Sequence, residues 1–249
     1  MKKLCVLALT LLFLLGLAAC GAPEAGPEGV PIAVLAAMNM EARHLVSRME
    51  NPRSVRVAGR KYTRGRIGKA EVVLCQSGMG LEKAGAGARA LIEAFQPETL
   101  VLFGMSGGIV PEIGLYETVI AQSVYPAWIE DGEAIATDET LAALAAQVLE
   151  GERTVAIATG EKMTWRRSDY DKIASACGAA AVDQESYAVA NAAREMGVPL
   201  LIIRCMSDTY DNSSLLGFFK YGPVSAEKAA TDAAAVIAHL DELESTCLH

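Results

Sequence analysis

The sequence predicts an α/β fold, a three-layer α/β/α sandwich with a mixed central sheet and helices on both faces. Apolar runs of strand length alternate with longer helix-period segments along the chain from residue 31 onward. Two neighbouring runs, 61–67 and 70–76, are joined only by Gly68-Lys69, which reads as an antiparallel hairpin inside an otherwise strand–helix order. Several strands also end in glycine or in Ser-Asp turns, as expected where strands reach the carboxyl edge of an open sheet and ligands sit. The strongest of these ends is Val198 to Asp211, an apolar strand interrupted by Arg204 and closed by Ser207-Asp208. An arginine inside such a strand needs an acceptor, which points to a polar cavity rather than a plain core.

Taken in order, Pro31–Ala37 forms the first strand, and a helix follows to about Met49 with Asn39 as N-cap and Glu41 in its first turn. Carboxylates are favoured there by the helix dipole alone, so Glu41 has a bland reading beside a functional one. Strands are expected at Ser54–Val57, Lys61–Ile67 and Ala70–Gln76, the last running into Ser77-Gly78-Met79-Gly80 and a helix over Leu81–Phe95. Thr99–Gly104 is a buried strand ending in Gly104-Met105-Ser106-Gly107-Gly108, and glycines at such ends let backbone approach a ligand closely. Gly114–Ala121 continues the sheet, and Asp138–Leu149 is an alanine-rich helix. Val155–Ala158 leads into the loop 159–165, where Met163 and Trp165 could flank a flat ligand or equally fill a core. Ala179–Val182 runs into Asp183-Gln184-Glu185-Ser186 at the start of a helix to about Glu195, and a helix from about Val224 to Leu243 closes the chain. With neither a Walker A pattern nor G-x-G-x-x-G, a nucleoside triphosphate or dinucleotide has no support.

The two ends carry other information. Met1-Lys2-Lys3, an apolar run to Ala19 and then Cys20 have the regions of a secretory signal. Leu17-Ala18-Ala19-Cys20 resembles the bacterial lipobox, in which the cysteine is lipidated as the first mature residue. The expected organisation is therefore a lipoprotein signal peptide at 1–19, a flexible Gly/Pro-rich tether at 20–30, and one domain at 31–249 held outside the cytoplasmic membrane by lipid on Cys20. A net charge of −8 argues against nucleic acid and against a basic membrane-surface patch, which leaves the lipid as the sole membrane contact. Of the six cysteines, Cys5 leaves with the signal, Cys75 and Cys205 fall in strands, and Cys177 and Cys247 show no metal spacing, although a disulfide among these last four stays open. His44, His239 and His249 are scattered, so no histidine metal site or triad is visible.

The motifs in sequence, Met38-Asn39-Met40-Glu41, Ser77-Gly78-Met79-Gly80, Gly104-Met105-Ser106-Gly107-Gly108, Asp183-Gln184-Glu185 and Arg204-Cys205-Met206-Ser207-Asp208, resemble the nucleoside phosphorylase superfamily and within it the methylthioadenosine/S-adenosylhomocysteine nucleosidases. The resemblance implies a phosphorylase/hydrolase-like fold, a purine nucleoside substrate, a homodimer, and hydrolysis without cofactor or metal. By the same resemblance Glu41 would activate water, Ser77 and Arg204 would help hold it, Glu185 would bind the ribose hydroxyls, and Ser207 and Asp208 would address the purine with Asp208 as acid. Such chemistry needs these types, since cleaving an N-glycosidic bond builds an oxocarbenium-like sugar and negative charge on the base. Arg204, close by in sequence, would oppose any upward pKa shift of Asp208.

Phosphorylases of the superfamily carry a Gly-Asp-Pro turn with a following arginine, and another arginine before the central glycine motif. Here Ala37-Met38-Asn39-Met40 and Phe103-Gly104 stand there, with Arg43 as a stray phosphate candidate, so hydrolysis is favoured over the alternative of phosphorolysis. Met163 replaces the aromatic ring that stacks on the purine, Thr164 its apolar neighbour, Gln184 the methionine between the two acids, and Tyr125 to Thr137 is shorter than the loop lent to the partner subunit. These departures motivate a third reading, a nucleoside-binding lipoprotein without turnover.

Overall fold

The computed structural model of the chain describes residues 29–127, 132–213 and 215–246. The signal segment, Cys20 and nearly all of the tether lie outside the described residues, as do Cys247 and His249. The strands are β1 (Ile32–Ala36), β2 (Glu50–Val57), β3 (Arg60–Ile67), β4 (Ala70–Gln76), β5 (Thr99–Gly108), β6 (Thr118–Pro126), β7 (Ile135–Ala136), β8 (Arg153–Thr159), β9 (Ala181–Asp183) and β10 (Leu200–Asp208). The helices are α1 (Asn39–Val46), α2 (Leu81–Phe95), α3 (Glu139–Val148), α4 (Arg167–Cys177), α5 (Ser186–Met196) and α6 (Leu215–Thr246).

All ten strands join one sheet that is mixed, as expected. The hairpin β3–β4 pairs Ile67 with Ala70 across Gly68-Lys69, and β1 lies parallel to β4 and β5. Period-2 alternation sends Ala33 and Leu35 to one face and Ile32, Val34 and Ala36 to the other, which is why β1 is apolar throughout. The first face is covered by α2 and α5, through Leu91, Phe95 and Val189, and the second by α1, α3 and α6, through Leu45, Leu141 and Ile237. These are the three layers.

One half of the sheet goes further than an open sandwich. β5 pairs with β10 along Leu100–Gly107 and with β9 at Gly107 and Gly108, while β10 pairs β6, β6 pairs β8 and β8 pairs β9. Those strands close into a ring, and the strand ends that the sequence marks as ligand-bearing meet at its rim. Sequence periodicity reports faces and not partners, so the closure is not legible there.

Several elements depart from expectation: the two-residue β7 is not foreseen, β2 begins at Glu50 rather than Ser54, and β6 runs over Thr118–Pro126 rather than Gly114–Ala121. The N-cap of α1 is Met38, whose backbone N–H is taken by Glu41 Oε2 at 2.8 Å, and Asn39 is already helical. α4 was not expected, because only Tyr170 and Ile173 of its residues are buried and its apolar stripe is short. The last helix begins at Leu215 rather than Val224 and carries Pro223 inside, where Ser225 Oγ reaches the Tyr221 carbonyl at 3.1 Å. Among the described residues no helix is long and apolar enough to cross a membrane. Cys75, Cys177 and Cys205 are free, and His44 and His239 take no part in any cluster of metal-ligating groups among the described residues.

Candidate active site

A cleft of about 630 Å³, measured to its open mouth, lies at the rim where β5, β9 and β10 end. Of the residues singled out in the sequence, Glu41, Met163, Thr164, Gln184, Glu185, Ser207 and Asp208 line it, whereas Ser77 and Arg204 do not. Ser77 turns its hydroxyl to the carbonyls of Gly78 at 3.0 Å and Ala36 at 3.4 Å. Arg204 is wholly buried behind the wall.

Glu41 is 2% exposed, and each of its oxygens accepts a backbone N–H at 2.8 Å, Oε2 from Met38 and Oε1 from Met105. Burial raises its carboxyl above the ordinary value, opposed by Arg204 and by the N–H groups of Met38, Met105 and Ala37. Gly104 makes the arrangement possible: a Cβ there would stand 2.5 Å from Glu41 Oε1 and 2.8 Å from Arg204 Nη1. The glycine-rich end of β5 thus leaves room for side chains of two other elements.

Arg204 Nη2 bonds Asp183 Oδ2 at 2.7 Å and the Ser186 hydroxyl at 3.2 Å, with Glu185 Oε2 at 3.5 Å. Its Nε and Nη1 have no partner among the described residues. Asp183 also accepts from the Thr159 hydroxyl at 2.8 Å and from the N–H groups of Glu185 and Ser186 at 3.3 and 3.2 Å. It therefore caps α5 and neutralises the buried arginine at once. Glu185, the N-cap of α5, spends Oε1 on the Gly80 N–H at 2.9 Å and faces the cleft. Burial raises its carboxyl, Arg204 lowers it, and the Asp183 charge raises it again.

Asp208 stands at the end of β10, where a register shift between Met206 and Asp208 turns it toward Gly107. A Cβ at Gly107 would meet its Oδ2 at 2.9 Å. Burial pushes the carboxyl up to about 6, while hydrogen bonds from Ser207, 3.1 Å from Oδ1, and Tyr170, 3.3 Å from Oδ2, pull it down. Arg204 does not figure in that balance, contrary to the expectation from sequence proximity, because the guanidinium is committed to Asp183 and Glu185. The loop 159–165 forms the outer wall through Lys162, Met163, Thr164 and Trp165, and Gln184 Nε2 reaches the Glu161 carbonyl at 3.4 Å. Arg43 is exposed and away from the cleft, whose only lining cation among the described residues is Lys162.

Sequence reasoning missed Tyr170, Thr159 and Ser186, which hold these carboxyls from behind. Tyr170 lies in R-S-D-Y-D-K-I, whose one usable signal is the i, i+3 spacing of Tyr170 and Ile173. Thr159 and Ser186 carry no pattern of their own.

The chain resembles known proteins along most of its length. The 5'-methylthioadenosine/S-adenosylhomocysteine nucleosidase of Shewanella halifaxensis (strain HAW-EB4) is 27% identical over 218 residues, 76% of this chain and 91% of the relative. That of Bacillus thuringiensis (strain Al Hakam) is 29% identical over 212 residues, 76% of this chain and 90% of the relative. Among solved structures, the S. pneumoniae 5'-methylthioadenosine/S-adenosylhomocysteine nucleosidase with the transition-state inhibitor MT-ImmA superposes with a TM-score of 0.78 at 26% identity, covering 84% of this chain and 99% of that one. The futalosine hydrolase of Helicobacter pylori shares the fold, with a TM-score of 0.79 at 21% identity over 84% of this chain and 97% of its own. The sequence profile described as "Phosphorylase superfamily" matches residues 31–240, and the chain belongs to that superfamily.

Proposed function

We propose that the protein is a purine nucleosidase that hydrolyses the N-glycosidic bond of an adenosine-type nucleoside, of the methylthioadenosine/S-adenosylhomocysteine kind, to free base and sugar. The observation that carries this is a buried Glu41 and a half-buried Asp208 facing one cleft together with Glu185. Glu41 accepts from the Met105 N–H, and Asp208 stands across from Gly107, two residues further along β5, so the two carboxyls enter the cleft at separate points of one strand end.

In this reading Asp208, with its carboxyl raised to about 6, gives a proton to the purine as the C1′–N bond breaks. Glu41 takes the proton of the water that adds to C1′, held by backbone N–H groups that keep the carboxylate oriented. The cleft-facing Glu185 accepts from the ribose hydroxyls. Met163 and Trp165 pack against the base, Thr164 and Ser207 meet its edge, and Gln184 adds an amide beside the sugar. Arg204 holds Asp183 and Glu185 in place, and Ser77 shapes the turn that delivers Gly80.

Hydrolysis is favoured over phosphorolysis because no arginine lines the cleft among the described residues. Incubation with adenosine, methylthioadenosine and S-adenosylhomocysteine, with and without phosphate, tests the assignment. Adenine and a free sugar at equal rates in both conditions are expected; a sugar 1-phosphate overturns hydrolysis, and tight binding without base release from any of them overturns turnover. We further propose a homodimer, and a signal segment that places the domain outside the cytoplasmic membrane on a lipidated Cys20.

A further inference from the structure

Tyr170 has one hydroxyl proton and two acceptors within reach. Its Oη lies 2.9 Å from the Thr164 carbonyl and 3.3 Å from Asp208 Oδ2. The side chain is fully buried, packed with Ala156, Ala158, Ile173 and Val182, so it cannot turn to solvent. A neutral phenol donates once. With Asp208 protonated, that proton serves Thr164; with Asp208 ionised, a charge-assisted bond to Oδ2 is the stronger alternative.

We propose that Tyr170 is a positioning residue for Asp208, its hydroxyl proton swinging from the Thr164 carbonyl to Asp208 Oδ2 as Asp208 surrenders its own proton to the leaving base. The inference rests on Asp208 being the acid of the proposed hydrolysis. In that step the Asp208 O–H bond breaks as an N–H bond forms on the purine, the C1′–N electrons pass to the base, and water adds to C1′ while Glu41 takes its proton. The bond from Tyr170 to the carboxylate strengthens only as charge develops on Asp208, so it favours the transition state over bound substrate. The same swing ties the loop that carries Thr164 to the protonation state of the acid.

Other groups around Asp208 do not take over this part. On β10 Arg204 is committed to Asp183 and Glu185, and on β5 Ser106 spends its hydroxyl on the Val182 carbonyl at 2.8 Å while Gly107 has no side chain. On α4 Arg167 pairs with Asp211 at 2.8 Å, and Asp171 accepts from Tyr210 at 3.0 Å. Lys162 lines the same cleft, and Ser213, which bonds the Trp165 carbonyl at 2.6 Å, also faces the phenol. Among the described residues Ser207 and Tyr170 are the side-chain donors to Asp208, and Tyr170 opposes the upward push of burial.

The test uses the full chain as wild type, as Tyr170→Phe, and with 3-fluorotyrosine at position 170, a stronger donor of the same shape. The Asp208 carboxyl is titrated by carbon-13 NMR, its signal identified by loss in Asp208→Asn, and kcat and kcat/KM are followed against pH. For Tyr170→Phe the titration midpoint and the alkaline limb of kcat/KM should both rise by roughly half a unit to one unit, with kcat down about tenfold and KM within about twofold. Fluorotyrosine should move both downward, which keeps the test open should the Phe variant fold poorly. A wild type that releases no base overturns the hydrolase reading beneath the inference. Turnover in the wild type with midpoint and limb unmoved in both variants overturns the role of Tyr170 alone.

Discussion

Glu41 and Asp208 share a cleft but are held in different ways. Glu41 has both oxygens on backbone N–H groups, which oppose the upward push of burial on its carboxyl, whereas Asp208 has only hydroxyl donors and is raised to about 6. Glu41→Gln and Asp208→Asn should each leave nucleoside binding nearly intact and lower kcat by roughly a hundredfold or more, measured by base release and by inhibitor titration. Glu185→Gln should instead weaken ribonucleoside binding, and a 2′-deoxy substrate should register the change less, because this contact exists in ground and transition states alike. Asp208 also has a consequence for stability. Its carboxyl is raised from 3.8 to about 6, so the folded protein holds the proton more tightly than the unfolded chain does. The stability this contributes is whole below pH 3.8 and is lost as pH rises through about 6. Above that, the wild type carries an ionised buried carboxyl costing up to roughly 3 kcal/mol for a shift of about two units. Asp208→Asn should therefore melt several degrees above wild type at pH 8, with the gap closing toward pH 4. A constant gap across that range in differential scanning calorimetry would refute the linkage. Asp208 and Glu41 were legible as candidates from strand-end and helix-start position; their pKa balance was not, since it depends on which neighbours face them.

At the scale of elements, the glycine-rich end of β5 decides whether the site can exist. Gly104→Ala would put a Cβ within 2.5 Å of Glu41 Oε1, which accepts from the Met105 N–H, and 2.8 Å of Nη1 of Arg204, whose guanidinium is held in place through Nη2. We expect a destabilisation of about 1–3 kcal/mol by urea titration, as for overpacking, together with near-complete loss of kcat. Gly59→Ala is the control. Gly59 has φ +78 and nothing within 4 Å, so the cost should be only the left-handed backbone penalty, roughly 1–2 kcal/mol, with kcat unchanged. Equal effects of the two on kcat would mean that Gly104 matters only for backbone conformation. The strand and helix pattern was legible where burial is deep and periodic, as in β1, β4, β5, β10, α2 and α3. It failed at α4, where only two residues of the helix are buried, and at the front of α6, where Pro223 reads as a helix start although the chain is already helical. In both places few side chains are buried, with Leu216 and Phe219 exposed at the front of α6, so the sequence carries no apolar stripe of a packed helix there.

For the whole molecule, two proposals concern what the described residues do not contain. Growth with a clickable fatty acid should label the protein, and the label should vanish in Cys20→Ala; absence of label, or label surviving the substitution, sinks the anchor. Light scattering should report twice the mass of one chain for the described domain, and a monomer at working concentration removes the proposed dimer. The sequence by itself determined the α/β class, the three layers, and the short list of carboxyls, because burial periodicity and strand-end turns are written locally. Only the tertiary structure decided the ring that brings β5, β9 and β10 to one rim, the commitment of Arg204 to Asp183 and Glu185 rather than Asp208, and the Tyr170 hydroxyl behind the acid. The reason is physical: Arg204, Asp183, Tyr170 and Asp208 come from separate elements, and a hydrogen bond between elements depends on strand partners and register, which a pattern of apolar and polar residues along one chain does not encode.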